Sequence, residues 1–277
     1  MKNKVWLQFL GFLSTPPLWE DSSLFKLKQF SIPQVNYPEI PDFPTELPSL
    51  ETNYVLGKRI EDFYSLILSR SSEFNILAQR LQIFRNKITV GELDFILEVP
   101  EEEKVIHLEV VYKFYIYDPT IKEELDRWIG PNRKDTLIRK LAKLKQKQLP
   151  LLYREDTIKA LEKRGVEYKN VKQEVSFLAH LFIPGHLKQE VFSQINNKGI
   201  VGTWIHLKEF IKNDFGMHKF FIPHKQDWPI DPSYNTTWLT YDKIFVEVEE
   251  KIASKRSPLI WMRTSLGNFE RFFIVWW

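Results

Sequence analysis

The chain has 277 residues, 43% of them hydrophobic and 27% charged, which is enough to bury one sizeable core and a second, smaller one. Its 39 Lys plus Arg nearly balance its 36 Asp plus Glu, so the whole-molecule field announces no nucleic-acid partner and any such case rests on local clustering. The absence of cysteine excludes disulfides, thiolate zinc sites and thiol catalysis and fits a reducing, cytoplasmic setting, while no apolar run approaches the ~20 residues that span a bilayer.

Val5 to Leu13 is apolar like the core of a signal peptide. Gln8 interrupts it, however, and Pro16-Pro17-Leu18-Trp19 follows in place of a small-residue cleavage site, so the stretch reads as a short helix of the mature protein. Between Ser31 and Ser49 stand Pro33, Pro38, Pro41, Pro44 and Pro48, a density that forbids helix and favours an extended strap. The globular part then begins near Asn53. Leu56, Ile60, Phe63 and Ile67 recur at helical spacing and predict an amphipathic helix from Val55 to Arg70 that covers a sheet.

Three strand-like segments follow, Asn75 to Phe84, Thr89 to Leu97 and Lys104 to Tyr115, separated by turn-like Asn86-Lys87 and the acidic run Glu101 to Glu103. After Gly130-Pro131-Asn132, Leu137, Leu141 and Leu144 mark a second amphipathic helix. Helix, meander and helix predict a mixed α/β layer arrangement. Further on, Val171 to Ile183 reads as a returning strand, Thr203 to Asn213 and Tyr241 to Ala253 as helices, and Phe272 to Trp277 as a strand or lid. The expected organisation is an N-terminal helix and strap over 1–52, a core over 53–185 and a C-terminal extension over 186–277.

Strand alternation puts Val90, Glu92, Asp94 and Ile96 on one side and Leu93, Phe95 and Leu97 on the other. In the next strand His107, Glu109, Val111 and Lys113 share a side, opposite Ile106, Leu108, Val110, Tyr112 and Phe114. Large apolar groups on both sides place these acids where burial is expected. An unpaired buried carboxylate costs several kcal/mol, so converging acids imply a cation, a proton or a lysine among them. Carboxylate oxygens without cysteine suit Mg²⁺ or Mn²⁺ better than Zn²⁺. A structural ion pair with Lys113 is the plainer alternative.

Gly91-Glu92-Leu93-Asp94-Phe95, His107-Leu108-Glu109, Lys113-Phe114-Tyr115 and Trp128-Ile129-Gly130-Pro131-Asn132, followed by a basic Leu-rich helix, resemble the bacterial family catalogued as domain of unknown function 1853. Trp6-Leu7 with Ser14-Thr15-Pro16-Pro17-Leu18 is similar to its N-terminal pattern, so the resemblance covers most of the chain. The family in turn resembles the PD-(D/E)XK nuclease superfamily. That resemblance implies an α/β, restriction-endonuclease-like core of helix, three-stranded meander, helix and returning strand, here with an N-terminal helix and proline strap and a C-terminal α+β extension. It maps the two acids to Asp94 and Glu109, an assisting helical acid to Glu61, and the metal-ligating main-chain carbonyl to Val110.

One departure stands out. The superfamily has its lysine two residues after the second acid, where this chain has Val111; Lys113 keeps the parity but is displaced by about 6.6 Å along the strand. The wider spacing is shared with the family this chain resembles.

From Arg133 to Lys147 there are seven basic residues (Arg133, Lys134, Arg139, Lys140, Lys143, Lys145, Lys147) and one acid, Asp135. A phosphate-binding face and a merely solvated face are both open readings of that run. Nine Trp are core and interface material first and base-stacking platforms second. The six His show no zinc-ligand spacing, and His107 reads as a satisfied strand histidine. The expectation is therefore Mg²⁺- or Mn²⁺-dependent hydrolysis of DNA phosphodiesters, with Lys113 positioning the water and Glu61 or Gln82 assisting. The alternative is a nuclease fold that no longer cuts and serves as a nucleic-acid-binding or protein-interaction module.

Overall fold

The computed structural model describes residues 4–20, 25–35 and 55–277. Most of the predicted proline strap, from Pro38 to Pro48, lies outside the described residues, and Pro33 sits in irregular chain. The chain forms two compact units, one comprising Pro17–Tyr112 and Arg139–Leu178, the other Met1–Pro16, Lys113–Ile138 and Ala179–Trp277. Among the described residues no helix is long and apolar enough to cross a membrane. The architecture is mixed α/β, with parallel and antiparallel strand pairs.

In the first unit, helix α2 (Leu56–Arg70) covers the hairpin of β1 (Asn75–Arg85) and β2 (Ile88–Val99). Its apolar stripe is buried at Ile60, Phe63 and Ile67, and Ser65 Oγ donates to Gln79 Oε1 at 2.9 Å. Asn86 and Lys87, at φ 48° and 66°, close the hairpin in the left-handed geometry that matches strand twist. Strand β3 (Lys104–Tyr117) continues the meander antiparallel to β2, and β5 (Val171–Pro184) pairs beside it. The predicted helix, meander and returning strand are all present.

A core of Leu81, Ile83, Leu93, Ile96, Leu152 and Leu161 closes the other face of the hairpin, with α4 (Glu155–Glu162) contributing Leu161. The second predicted helix is shorter than its periodicity implied. Here α3 (Leu137–Lys143) runs into a π-helical turn at Leu144–Gln148 and then a 3₁₀ segment at Leu149–Tyr153.

In the second unit, α1 (Lys4–Leu13) docks through Gln8, whose amide donates to buried Asp227 Oδ1 at 2.9 Å. Strand β4 (Trp128–Ile129) pairs with the end of β3. Beyond β5 the strand order is β6 (Ile200–His206), β9 (Phe269–Val275), β8 (Leu259–Arg263) and β7 (Lys219–Phe221). The β5/β6 and β6/β9 pairs are parallel, the remaining two antiparallel. Helix α6 (Tyr241–Ala253) matches its predicted span and buries Ile244 and Val248 against Phe220 and Phe272.

One predicted helix is corrected. Thr203–Asn213 is not helical: residues 200–206 form β6, followed by a 3₁₀ turn at Leu207–Glu209 and the four-residue α5 (Lys212–Phe215). Ile200, Val201, Thr203 and Ile205 are β-branched and stiff at χ1, which favours the strand. Gly202 lets β9 approach, because a Cβ there would lie 2.2 Å from the Arg271 carbonyl oxygen.

Candidate functional site: a buried acid pair

The β2/β3 ladder runs from Val99 opposite Lys104 to Phe95 opposite Leu108, and the same register carried one step further sets Asp94 across from Glu109. At that step the ladder bond is replaced: the Val110 amide donates to Asp94 Oδ2 at 2.8 Å. Leu93, Phe95, Leu108 and Ile96 around them are fully buried, so both strands have lost their solvated face as the sequence pattern predicted. Glu109 is 0% exposed and Asp94 9%.

Glu109 is held at both oxygens. Gln148 Nε2 donates to Oε2 in a short bond, and His107 Nε2 lies 2.9 Å from Oε1. On the far side of the imidazole, Gln173 Nε2 lies 3.1 Å from His107 Nδ1 and donates to the Leu149 carbonyl at 2.7 Å. Because a carbonyl only accepts, the Leu149 contact fixes the Gln173 amide with its nitrogen toward the ring. His107 Nδ1 is then an acceptor and Nε2–H donates to Glu109. Burial pushes the His107 pKa down to about 4, consistent with this neutral tautomer. The bland reading of His107 holds in part: it is a satisfied strand histidine, and what it satisfies is the acid.

The same chain of bonds reaches a lysine. Lys140 Nζ donates to Gln148 Oε1 at 2.7 Å, so Gln148 links an ammonium to the Glu109 carboxylate. The π-helical turn matters here, since its wider winding changes which residues share a helix face and brings Gln148 round to Lys140 and Glu109.

Burial raises both acids above the usual carboxylate range. For Asp94 the Glu109 charge pushes further in the same direction, while the Val110 amide and Lys140 oppose. For Glu109 the opposing groups are Lys140, Lys143 and the Gln148 hydrogen bond. The pair therefore holds its protons more tightly than ordinary carboxylates do, and the charge that it carries once ionised is only partly compensated by the protein.

The remaining candidates fall in several places. Glu61, on α2, lies in the field that acts on Asp94, and its own carboxyl is raised by burial and by Glu92 against the pull of Arg80. The Arg80 guanidinium, on a residue with φ 50° inside β1, binds Glu61 at 2.5 Å and Asp62 at 2.9 Å. Gln82 is exposed and pairs across the hairpin with half-buried Glu92. Lys113, the lysine singled out by the sequence, has its ammonium 2.6 Å from Asp135.

Of the basic run, Lys134, Arg139 and Lys143 are exposed, and Lys140 is half-buried with its ammonium on Gln148. Exposed Arg133 contacts Asp118 Oδ2 at 3.1 Å and lies 4.5 Å from the Trp277 ring centroid. Sequence reasoning missed Gln148 and Gln173; the only signal for the first was a pair of glutamines, Gln146 and Gln148, breaking a lysine run.

Among the described residues no three His, Asp or Glu side chains converge as a ready ligand set. The Asp94 and Glu109 carboxylates are still an all-oxygen pair of donors, with net negative charge once both are ionised. That fits an ion which keeps several waters, as Mg²⁺ does, better than one needing a closed protein cage.

Fold and site together define a mixed α/β protein with a buried, partly compensated acid pair where two antiparallel strands part. The chain belongs to the family described as Domain of unknown function (DUF1853), whose family model matches residues 39–275. Comparison with curated proteins and with solved structures found no match.

Proposed function

We propose that this protein is a metal-dependent nuclease of PD-(D/E)XK type that hydrolyses DNA phosphodiester bonds. The observation that carries the reading is the pair itself: two carboxylates on parting strands, both buried, both with raised pKa values, with lysine charge reaching each. Such an arrangement is costly for a fold to maintain without a cation to receive. Asp94, Glu109 and the Val110 carbonyl would hold Mg²⁺ or Mn²⁺, and Glu61 would assist through water. When bound, the ion supplies Lewis acidity toward a phosphoryl oxygen and lowers the pKa of a bound water.

The protein's own groups do the positioning. Val110 N–H holds the Asp94 carboxylate in one rotamer, and Gln148 with neutral His107 holds Glu109. Lys140 stands where an ammonium can orient a water or meet developing charge, the role the sequence reading gave to Lys113. Exposed Arg139 and Lys143 extend the cationic surface available to DNA phosphates.

The test is cleavage of linear, circular and single-stranded DNA in Mg²⁺ and in Mn²⁺ by the full chain. Activity should disappear in D94A and E109A while both variants remain folded, which also guards against a contaminating nuclease. Survival of every substrate over long incubation contradicts the reading.

A second reading has its own support. Both Glu109 oxygens already accept hydrogen bonds, and Lys113 is paired with Asp135. These contacts favour a non-cutting module that binds nucleic acid or protein. Binding of DNA without cleavage, unaffected by D94A, would select it.

A further inference from the structure

Directly opposed residues of neighbouring antiparallel strands point to the same face. The pairs Lys219 with Arg263 and Arg263 with Phe269 therefore set these three side chains in one row across β7, β8 and β9. All three are exposed, Phe269 to 40%. The Phe269 ring is held in place: Trp238 lies 5.8 Å away at 33°, and the Trp238 indole N–H donates to the Asn235 carbonyl at 3.1 Å. The next residue, Leu239, exchanges both backbone hydrogen bonds with Phe220 of β7, at 2.9 and 2.8 Å, which pins that segment to the sheet.

The row ends at a cavity of about 580 Å³ lined among others by Asp231, Ser233, Asn268, Phe269, Glu270 and Arg271. Five of those six are exposed, so the cavity opens to solvent. Its lining sets one guanidinium against two carboxylates, a balance that disfavours a phosphate and accepts an uncharged polar group. The Ser233 hydroxyl, the Asn268 amide and the carboxylates can donate to or accept from the edge of a heteroaromatic ring, and Phe269 offers such a ring a surface. Positive charge stands outside the cavity, one strand away at Arg263 and two at Lys219, about 5 and about 10 Å along the row. A polar ring inside and anionic groups outside are the two parts of a nucleotide in an unpaired strand. In a duplex the same base has its edge paired and both faces stacked.

We propose that this face of β7, β8 and β9 binds single-stranded nucleic acid: an unpaired base enters the cavity against Phe269, Asn268 and Ser233 meet its edge, and Arg263 and Lys219 take the flanking phosphates. The inference shares with the nuclease reading only the class of ligand and does not depend on cleavage.

The experiment reads binding by the full-length protein in EDTA, with labelled single strands and duplexes of one sequence across a salt series. F269L keeps apolar bulk beside Trp238 and removes the π-face; it should weaken single-strand binding about 5-fold or more at an unchanged salt slope. F269Y, which retains a ring, should bind as the wild type does. K219Q and R263Q should each flatten the dependence of log K on log salt by about 0.7 for single strands. N268A should reorder the affinities for oligo-dA, oligo-dC and oligo-dT, and duplex affinity should stay at the wild-type value in all of these variants. Wild-type single-strand affinity in F269L with unchanged slopes in K219Q and R263Q overturns the proposal. So does an equal loss on duplex and single strand, or no single-strand binding by the wild type.

A parallel arm uses small ligands. Thermal stabilisation by a millimolar nucleoside monophosphate that F269L abolishes supports the base cavity. Stabilisation by a neutral oligosaccharide, with no response to nucleotides, assigns the cavity to a sugar and overturns the proposal. Protein that binds single strands through this face yet never cuts refutes hydrolysis and keeps the binding face. Protein that cuts while F269L, K219Q and R263Q bind normally does the reverse.

Discussion

The Asp94 carboxylate takes the place of a ladder acceptor for Val110, 2.8 Å from its amide, at the step where β2 and β3 stop pairing. One side chain thus serves as a backbone partner and as half of a charged pair. Those two roles separate under mutation. Asp94→Asn keeps an oxygen acceptor for the amide and removes the buried charge, so in metal-free buffer at pH 8 it should be as stable as the wild type or more so. Asp94→Ala strands the amide as well and should cost about 1–3 kcal/mol relative to Asn. Urea unfolding of the three proteins measures the difference.

The acid pair also fixes a pH dependence. Its folded-state values are raised to about 8 and about 7 from ordinary values near 4, so the folded state binds more protons than the unfolded state across that interval. Stability contributed by the protonated acids is present at low pH and lost as pH rises toward 8. His107 works in the opposite sense, but only between its folded value of about 4 and its unfolded value of 6.5. Between pH 6.5 and 8 the acids act unopposed, and the metal-free protein should become less stable. The decline should vanish in a D94N/E109Q double variant, as read by urea midpoints across the pH series.

Gln173 bonding both the Leu149 carbonyl and His107 Nδ1 predicts a single imidazole tautomer. Nitrogen-15 NMR of the His107 ring should show a neutral Nε2–H form at pH 6. An imidazolium at that pH would mean that the ring does not donate to Glu109 in the way described. Gln173→Ala should release the tautomer and let the ring titrate nearer its ordinary value.

Lys140 and Lys113 make opposite predictions for chemistry. If an ammonium serves the acid pair, Lys140→Ala should lower single-turnover cleavage about 10²-fold or more. Lys113→Ala removes the ion pair with Asp135 and should leave the rate at saturation within about 10-fold of wild type. The reverse pattern would return the lysine role to the strand.

Away from the site, Gly202 is required by the close approach of β9. Gly202→Ala places a Cβ 2.2 Å from a backbone oxygen, which cannot swing away as a side chain could. Overpacking of this kind costs about 1–3 kcal/mol or more, and thermal unfolding should show it as a lowered midpoint.

Periodicity was a good guide wherever one pattern ran unbroken. Helix α2, the three-strand meander, β5 and α6 follow their apolar repeats closely, and Asp94 and Glu109 were legible because charged residues stood inside strands apolar on both sides. Residues 203–213 misled for a physical reason: leucine, phenylalanine and isoleucine further along mimic a helical stripe, while the β-branched run before them decides the strand. Gln148 was invisible because its place at Glu109 depends on a π-helical turn that no spacing rule registers. Lys140 was read as one member of a basic face, and only the fold separates it from its exposed neighbours.

The most direct test of the central claim is calorimetric titration of the full-length protein with Mn²⁺ and Mg²⁺ at pH 8. One ion should bind per chain, with proton release as the raised acids ionise, and Asp94→Asn and Glu109→Gln should each abolish the heat while remaining folded. Binding that survives both substitutions, or no binding by the wild type at millimolar ion, would contradict the assignment of this acid pair as a metal site.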